Sequence, residues 1–201
     1  MVTGTDTDVG KTVFAAGLAA ALGADYWKPV QAGLDGGTDS QRVARLAPDV
    51  VIHPEKYRLT TPCSPHEAAR IDGVTIADDA LVLPATANTL IAEGAGGVLV
   101  PYREDLLAAD LFARWGLPAT LVARTTLGTI SHSLLSLEAL RARGIAVAGV
   151  AFVGEAEPVA EAAITRIGDC PHLGRLPMLD PLDAETLAAG FAGNIRMDLL
   201  A

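Results

Sequence analysis

Residues 4–12 read Gly-Thr-Asp-Thr-Asp-Val-Gly-Lys-Thr, directly after a scrap of apolar chain and directly before Val-Phe-Ala-Ala-Gly-Leu-Ala-Ala-Ala-Leu (13–22). The second stretch consists almost wholly of good helix formers. Strand, glycine-bearing turn, helix is the layout of a phosphate-binding loop, in which the free N–H groups of the helix start face an anion. Gly10 lets the backbone approach phosphate, Lys11 supplies a compact positive charge, and the Thr12 hydroxyl is placed for Mg²⁺. The strict pattern asks for glycine five places before Gly10. Thr5 stands there instead, with Gly4 one residue further back. A serine/threonine-rich turn capping an ordinary helix is the competing reading, but it leaves Gly-Lys-Thr at a strand–helix junction unexplained.

The 201 residues suffice for one domain with a sizeable core. Half are apolar and only 4% aromatic, so Ala, Val, Leu and Ile must fill that core. No apolar run is long and charge-free enough to span a membrane. No basic segment leads an apolar one at the start, so a secretory signal is not expected. A net charge of −9 argues against nucleic-acid and anionic-membrane partners, whereas a lysine-bearing loop in an acidic chain suits a small anionic ligand. Cys63 and Cys170 stand far apart without metal-ligand spacing. The histidines His53, His66, His132 and His172 form no ligand cluster and no nucleophile–base pattern. A cytoplasmic, reduced protein is the expectation.

Strand-like apolar runs alternate with helical ones, the rhythm of βαβ units around a parallel sheet. Beyond the strand ahead of the loop, strands are expected at residues 26–30, 88–93, 119–123, 146–153 and 173–176. Helices are expected at 39–46, with Thr38 or Asp39 as cap, and at 106–115, 130–143 and 158–167. Residues 48–65 hold four prolines and read as an irregular connection. Residues 66–71 and 76–83 read as helical pieces, and Asp180 and Asp183 as caps of a turn. The pattern predicts an α/β fold: a single domain (1–201) with a doubly wound, mainly parallel sheet of about six or seven strands and helices on both faces.

In such sheets ligands bind past the C-terminal ends of the strands. Lys11 and Thr12 follow the first strand, Lys28 closes the second, Asp39 lies in the loop after it, and Glu93 closes the central one. Cations for a polyphosphate and two carboxylates for a metal are what nucleotide chemistry requires. Glu93 at the end of an apolar strand is costly as structure, because a buried carboxylate needs a neutralising partner such as Mg²⁺. Gly94, Ala95, Gly96 and Gly97 behind it permit close approach of ligand or backbone. Asp39 is explained equally well by a helix N-cap, and Lys28 by an exposed strand end.

Taken together, Gly-Thr-Asp-Thr-Asp-Val-Gly-Lys-Thr (4–12), Lys-Pro-Val-Gln-Ala-Gly (28–33), Ser-Pro-His-Glu-Ala-Ala (64–69) and Glu-Gly-Ala-Gly-Gly (93–97) resemble dethiobiotin synthetases, P-loop NTPase-type enzymes, in residues and order. Leu-Gly-Thr-Ile-Ser-His (127–132) also resembles that family's loop-to-helix segment, so the likeness spans nearly the whole chain. It implies a ligase of biotin synthesis that joins 7,8-diaminononanoate and CO2 (bicarbonate in solution) into the ureido ring of dethiobiotin, consuming ATP with Mg²⁺. The route implied is an amine carbamate, then a carbamic–phosphoric anhydride, then ring closure by the second amine.

The resemblance also implies roles. Lys28 would be the catalytic lysine holding carbamate and γ-phosphate, and Lys11 would bridge phosphates and carbamate. Thr12, Asp39 and Glu93 would hold Mg²⁺. Asp8, Val9, Gly10 and Val13 would line the nucleotide phosphates. Thr7 and the backbone around Ala32 would face the diamine. The family is dimeric, so Leu127, Gly128, Thr129, Ile130 and Ser131 would receive the substrate carboxylate from the neighbouring subunit's site. Pro177, Met178 and Leu179 resemble a base-contacting turn.

Two departures stand out. Ala32 replaces a hydroxyl residue of some members, leaving the amine contact to backbone, water or Gln31. Val153 and Gly154 replace an Asn-Asp pair that reads adenine, so hydrogen-bonded base readout is lost there and other nucleoside triphosphates become candidates. A related ligase or amidotransferase domain, or a partitioning-type nucleotide switch, would share the loop without the other segments.

Overall fold

The structure, a computed structural model, describes residues 1–200. The strands are β1 (Val2–Gly4), β2 (Asp25–Trp27), β3 (Val30–Ala32), β4 (Ile52–His53), β5 (Tyr57–Leu59), β6 (Leu90–Gly97), β7 (Pro101–Arg103), β8 (Leu106–Leu107), β9 (Ala119–Arg124), β10 (Val147–Val153) and β11 (His172–Leu176). The helices are α1 (Lys11–Leu22), α2 (Asp39–Leu46), α3 (Pro65–Asp72), α4 (Ala108–Trp115), α5 (Thr129–Arg141), α6 (Pro158–Ile167) and α7 (Ala184–Asn194). Seven strands form one parallel sheet in the order β11-β10-β9-β1-β6-β2-β4. The remaining four make two small pairs, β3 with β5 and β7 with β8.

Alternation along the strands builds two apolar layers. Trp27, Ala92, Leu121, Ala123, Val150 and Phe152 face one cluster, with α3, α4, α5 and α6 packed on it. Their neighbours Tyr26, Ile91, Val122 and Ala151 face the other, covered by α1, α2 and α7. Successive side chains point to opposite faces, and a parallel sheet hidden on both sides therefore reads as an unbroken apolar run. The chain leaves β1 toward β2 and later places β9 on the opposite side of β1, so the strand order reverses there. That reversal opens the ligand crevice of a doubly wound sheet beside the loop after β1.

Several expectations change. The segment 26–30 is two strands, because Lys28-Pro29 breaks the first and Pro29 has no N–H to give a ladder. Within the irregular stretch 48–65 the main sheet gains its edge strand β4, two residues long and thus invisible to periodicity, and the small pair with β3 gains β5. Residues 76–83 contain only a short 3-10 turn at Asp78–Ala80. Leu106 and Leu107 belong to a hairpin with β7, and α4 starts after them. Asp183 caps a whole helix, α7, accepting from the Thr186 N–H at 2.9 Å.

Helix α7 lies against α1, where the Phe14 and Phe191 rings meet at a tilt, their centroids 5.1 Å apart. A Cβ on Gly17 would clash with the edge of the Phe191 ring. Alanine gains roughly 1 kcal/mol of helix propensity over glycine, against overpacking that costs about 1–3 kcal/mol. Gly17→Ala is therefore expected to lower the urea midpoint of unfolding, and an unchanged or raised midpoint would show that α7 yields freely.

Candidate active site

A cleft of about 620 Å³ opens between the loop after β1, the end of β6, α2 and the segment 62–65. The loop's shape rests on two left-handed residues, Asp8 (φ 56) and Gly10 (φ 93). Gly10 has a second reason to be glycine: a Cβ there would meet Val153 at 2.9 Å. Gly4 has its own, since a Cβ would strike Val9 at 2.8 Å and the Lys11 stem at 2.9 Å. The lysine stem folds over Gly4, so the small residue the loop needs is one place earlier than the strict pattern puts it.

At the cleft floor lies a buried charge cluster. The Lys28 ammonium donates to Asp39 Oδ2 at 2.7 Å, to Glu93 Oε1 at 2.9 Å and to the Gly94 carbonyl at 3.1 Å. All three of its protons are thereby used. Glu93 is fully buried and accepts twice more: from Thr12 Oγ1 at Oε1 and from the Tyr26 hydroxyl at Oε2, both at 2.9 Å. Burial alone would lower the Lys28 pKa, but the two carboxylates outweigh it and push it above the ordinary lysine value. Burial would likewise raise Asp39, yet the Lys28 ammonium holds its carboxyl below the usual range. Lys11 is brought down to about 8, first by burial and then by the charge of Lys28. Its ammonium donates to the Asp6 carbonyl at 2.6 Å.

Asp39 is not the helix cap. Thr38 takes that position, accepting from the Gln41 N–H at 3.2 Å while Gln41 Oε1 accepts from the Thr38 N–H at 2.9 Å. The reciprocal bonds leave the Asp39 carboxylate free to face Lys28. Gln31 braces the same helix start: its Oε1 accepts from the Asp39 N–H at 3.0 Å and its Nε2 donates to the Gly33 carbonyl at 3.0 Å. A side chain so committed is not available to replace the hydroxyl missing at Ala32.

Of the residues expected from sequence, Thr7, Asp8, Gly10, Lys11, Thr12, Val13, Lys28, Ala32, Asp39, Glu93, Ala95 and Gly96 line this one cleft. Val9 points into the core. Gly94 contributes its carbonyl to Lys28 and packs on Phe112, where a Cβ would lie 2.5 Å from the ring. Val153, Gly154, Pro177, Met178 and Leu179 are outside the lining, although Val153 touches Gly10. Both backbone groups of Gly154 are spent, its N–H on Leu176 O and its carbonyl on Arg175, each at 3.0 Å. Leu127, Gly128, Thr129, Ile130 and Ser131 form the start of α5, away from the cleft, with Leu127 fully exposed. Sequence reasoning missed Tyr26, whose position in an apolar strand signals only core. It also missed Arg42, one turn after Asp39, which lines the cleft and among the described residues has no ion pair.

Among the described residues no three His, Cys, Asp or Glu side chains are grouped to hold a metal. The converging donors are two carboxylates and one hydroxyl, all hard oxygens. That set suits Mg²⁺, which is usually held by one or two carboxylates with substrate phosphates and water completing its octahedron.

Comparison with known proteins gives the family of the whole chain. The family described as an AAA domain matches residues 1–186. The chain is 61% identical over 200 residues to the ATP-dependent dethiobiotin synthetase BioD of Rhodopseudomonas palustris (strain BisB18), covering 98% of this chain and 96% of that one. To the protein of the same name from Novosphingobium aromaticivorans it is 56% identical over 200 residues, covering 98% and 97%. Among solved structures, a ParA family ATPase from Chlorobium tepidum TLS superposes with a TM-score of 0.56 at 13% identity, covering 94% of this chain and 89% of that one, a likeness of fold alone. By sequence over nearly its whole length, the chain belongs to the ATP-dependent dethiobiotin synthetase family.

Proposed function

We propose that the whole chain acts as one domain that closes the ureido ring of dethiobiotin from 7,8-diaminononanoate, CO2 and ATP, releasing ADP and phosphate. The observation that carries this reading is the Lys28 ammonium seated between Asp39 and Glu93, at 2.7 and 2.9 Å, beside the phosphate-type loop. The reaction must bring a triphosphate and a carbamate together, two anions that repel, so positioned cations supply most of what the protein can add.

In this reading one amine of the diamine adds to CO2 and loses a proton, giving a carbamate. A carbamate oxygen attacks the γ-phosphorus and ADP leaves. The second amine then attacks the carbonyl carbon of the mixed anhydride, and phosphate departs as the ring closes. Lys28 would span carbamate and γ-phosphate by exchanging its bonds to Asp39 and Glu93 for bonds to these anions, and Lys11 neutralises the phosphates that the N–H groups of residues 8–13 cradle. Thr12, Asp39 and Glu93 would hold Mg²⁺, which supplies charge neutralisation on the β- and γ-phosphates when bound. Thr7 and the backbone at Ala32 face the amines. Leu127 to Ser131 give the exposed N-terminus of α5 to the carboxylate of a substrate in a second subunit's cleft, so the working unit is a homodimer in the cytoplasm. The base lies near Val153, Gly154 and the turn 177–179, where Gly154 offers neither a side chain nor a free backbone group.

Phosphate release from purified protein with Mg-ATP and bicarbonate tests the assignment. The expected result is release that depends on 7,8-diaminononanoate and yields dethiobiotin. Diamine-independent hydrolysis would move the assignment to a nucleotide switch. With CTP and GTP in place of ATP, rates within about tenfold of the ATP rate are expected, since no buried polar group at residues 153–154 is left unpaired by the wrong base.

Lys28→Gln removes the charge between the reacting anions and is expected to lower kcat by ~10²–10³-fold, the scale of one lost transition-state donor. Its KM for ATP should change far less, because Lys11 and the loop remain. A kcat within threefold of wild type would remove Lys28 from the chemistry.

A further inference from the structure

We propose that Tyr26 makes this site selective for Mg²⁺ over larger divalent cations by confining Glu93 to a single donating oxygen. The inference rests on the reading of Thr12, Asp39 and Glu93 as the cation's protein ligands.

Tyr26 lies in β2, whose neighbour β6 pairs Ile91 with it in register, two residues before Glu93. Tyr26 and Glu93 both have no solvent exposure. The tyrosine ring belongs to the apolar layer beneath α1 and α2, so the hydroxyl is fixed by packing. A buried tyrosine hydroxyl needs a partner, and this one has Glu93 Oε2 at 2.9 Å. Thr12 and Lys28 both meet the other oxygen, Oε1. The carboxylate is thus divided, with one oxygen turned to the core and one to the cleft. Rotating it to offer both oxygens would strand the Tyr26 hydroxyl in a fully buried place.

The division matters because cations differ in what they ask of a carboxylate. Ca²⁺ takes about six to eight oxygens and often clasps a carboxylate with both, whereas Mg²⁺ demands a compact octahedron and is content with one. A glutamate held to one oxygen favours the smaller ion without any change in the ligand set. Partners of this kind orient the ligand rather than touch the metal, and their loss typically weakens metal affinity by about 10–100-fold.

The test is calorimetric binding of ADP in the presence of Mg²⁺, of Ca²⁺ and of neither, to wild type, Tyr26→Phe and Tyr102→Phe. Tyr102 is a matched control: it is equally buried, and its hydroxyl accepts from the Ala95 N–H at 2.9 Å. The wild type is expected to bind ADP at least ~10-fold more tightly with Mg²⁺ than with Ca²⁺, and Tyr26→Phe to reduce that ratio about tenfold. Metal-free ADP affinity should not move, and Tyr102→Phe should keep the wild-type ratio. An unchanged ratio in Tyr26→Phe overturns the proposal, as does an equal shift in both variants, which would mean general loosening. Should Tyr26→Phe fail to fold, the wild type decides alone, since a Mg²⁺ to Ca²⁺ ratio near one is incompatible with the proposal. Glu93→Gln separates the two levels of the argument. If it keeps the metal dependence of ADP binding, the ligand assignment falls and the role of Tyr26 with it. If it loses that dependence while Tyr26→Phe keeps its selectivity, only the role of Tyr26 falls.

Discussion

One ammonium between two carboxylates in the floor of the cleft is the interaction on which the rest of the site depends. Lys28, Asp39 and Glu93 come from the end of one strand, the first turn of a helix and the middle of another strand, and they meet within hydrogen-bond distance. As structure this is a poor bargain. Buried ion pairs commonly fail to recover the cost of desolvation, and removing one partner costs about 3–5 kcal/mol because it strands the other charge. A fold that only needed stability would fill the same volume with Leu and Ile. The cluster makes physical sense as a pre-assembled set of charges into which further ions are to be fitted, its geometry already fixed by Thr12, Tyr26 and the Gly94 carbonyl.

The scaffold around the cluster is organised to hold it. Lys28 sits where Pro29 ends one ladder and lets the chain turn into the small β3–β5 pair. Asp39 is free because Thr38 and Gln41 satisfy the helix start without it, and Gln31 ties that start back to β3. Glu93 is held by the β6 backbone, which continues as a strand through Gly97 and does not stop at the carboxylate. The loop reaches the cluster through Thr12, one residue into α1, so the phosphate side and the carboxylate side of the cleft are joined by a single hydroxyl.

How much of this was legible in the sequence follows from the range of each signal. The loop, the helix behind it and the long apolar strands at residues 119–123 and 146–153 announce themselves locally, and they appear where expected. Lys11, Thr12, Lys28, Asp39 and Glu93 could be nominated because each follows a strand end, yet spacing alone left Asp39 and Lys28 with bland explanations. The structure distinguishes them by the company they keep: a cap already supplied by Thr38, and a lysine with almost no exposed surface. What stayed hidden was non-local or very short. A two-residue edge strand has no periodicity to detect, and a strand running through Glu-Gly-Ala-Gly-Gly looks like a loop because glycine carries no pattern. Tyr26 reads as core because its ring is core. Only the position of its hydroxyl in space makes it part of the site.

The likeness to a ParA family ATPase at 13% identity sharpens the distinction between scaffold and chemistry. The two chains share a fold, and in this one a strand order reversal places a phosphate-type loop at the mouth of a crevice. What such a crevice does depends on the second wall. Here that wall is Lys28 held by two carboxylates, with Ala32, the 62–65 segment and Arg42 beyond it, in a chain of net charge −9. Within the cleft lining the formal charges balance: Lys11, Lys28 and Arg42 against Asp8, Asp39 and Glu93. A lining that is neutral within an acidic chain can admit a triphosphate only if its cations are directed inward and its carboxylates are taken up by other cations. The geometry supplies the second half of that division, with both Asp39 and Glu93 already paired with Lys28. What an anionic ligand meets in the cleft is therefore the arrangement of these charges and not the net charge of the chain.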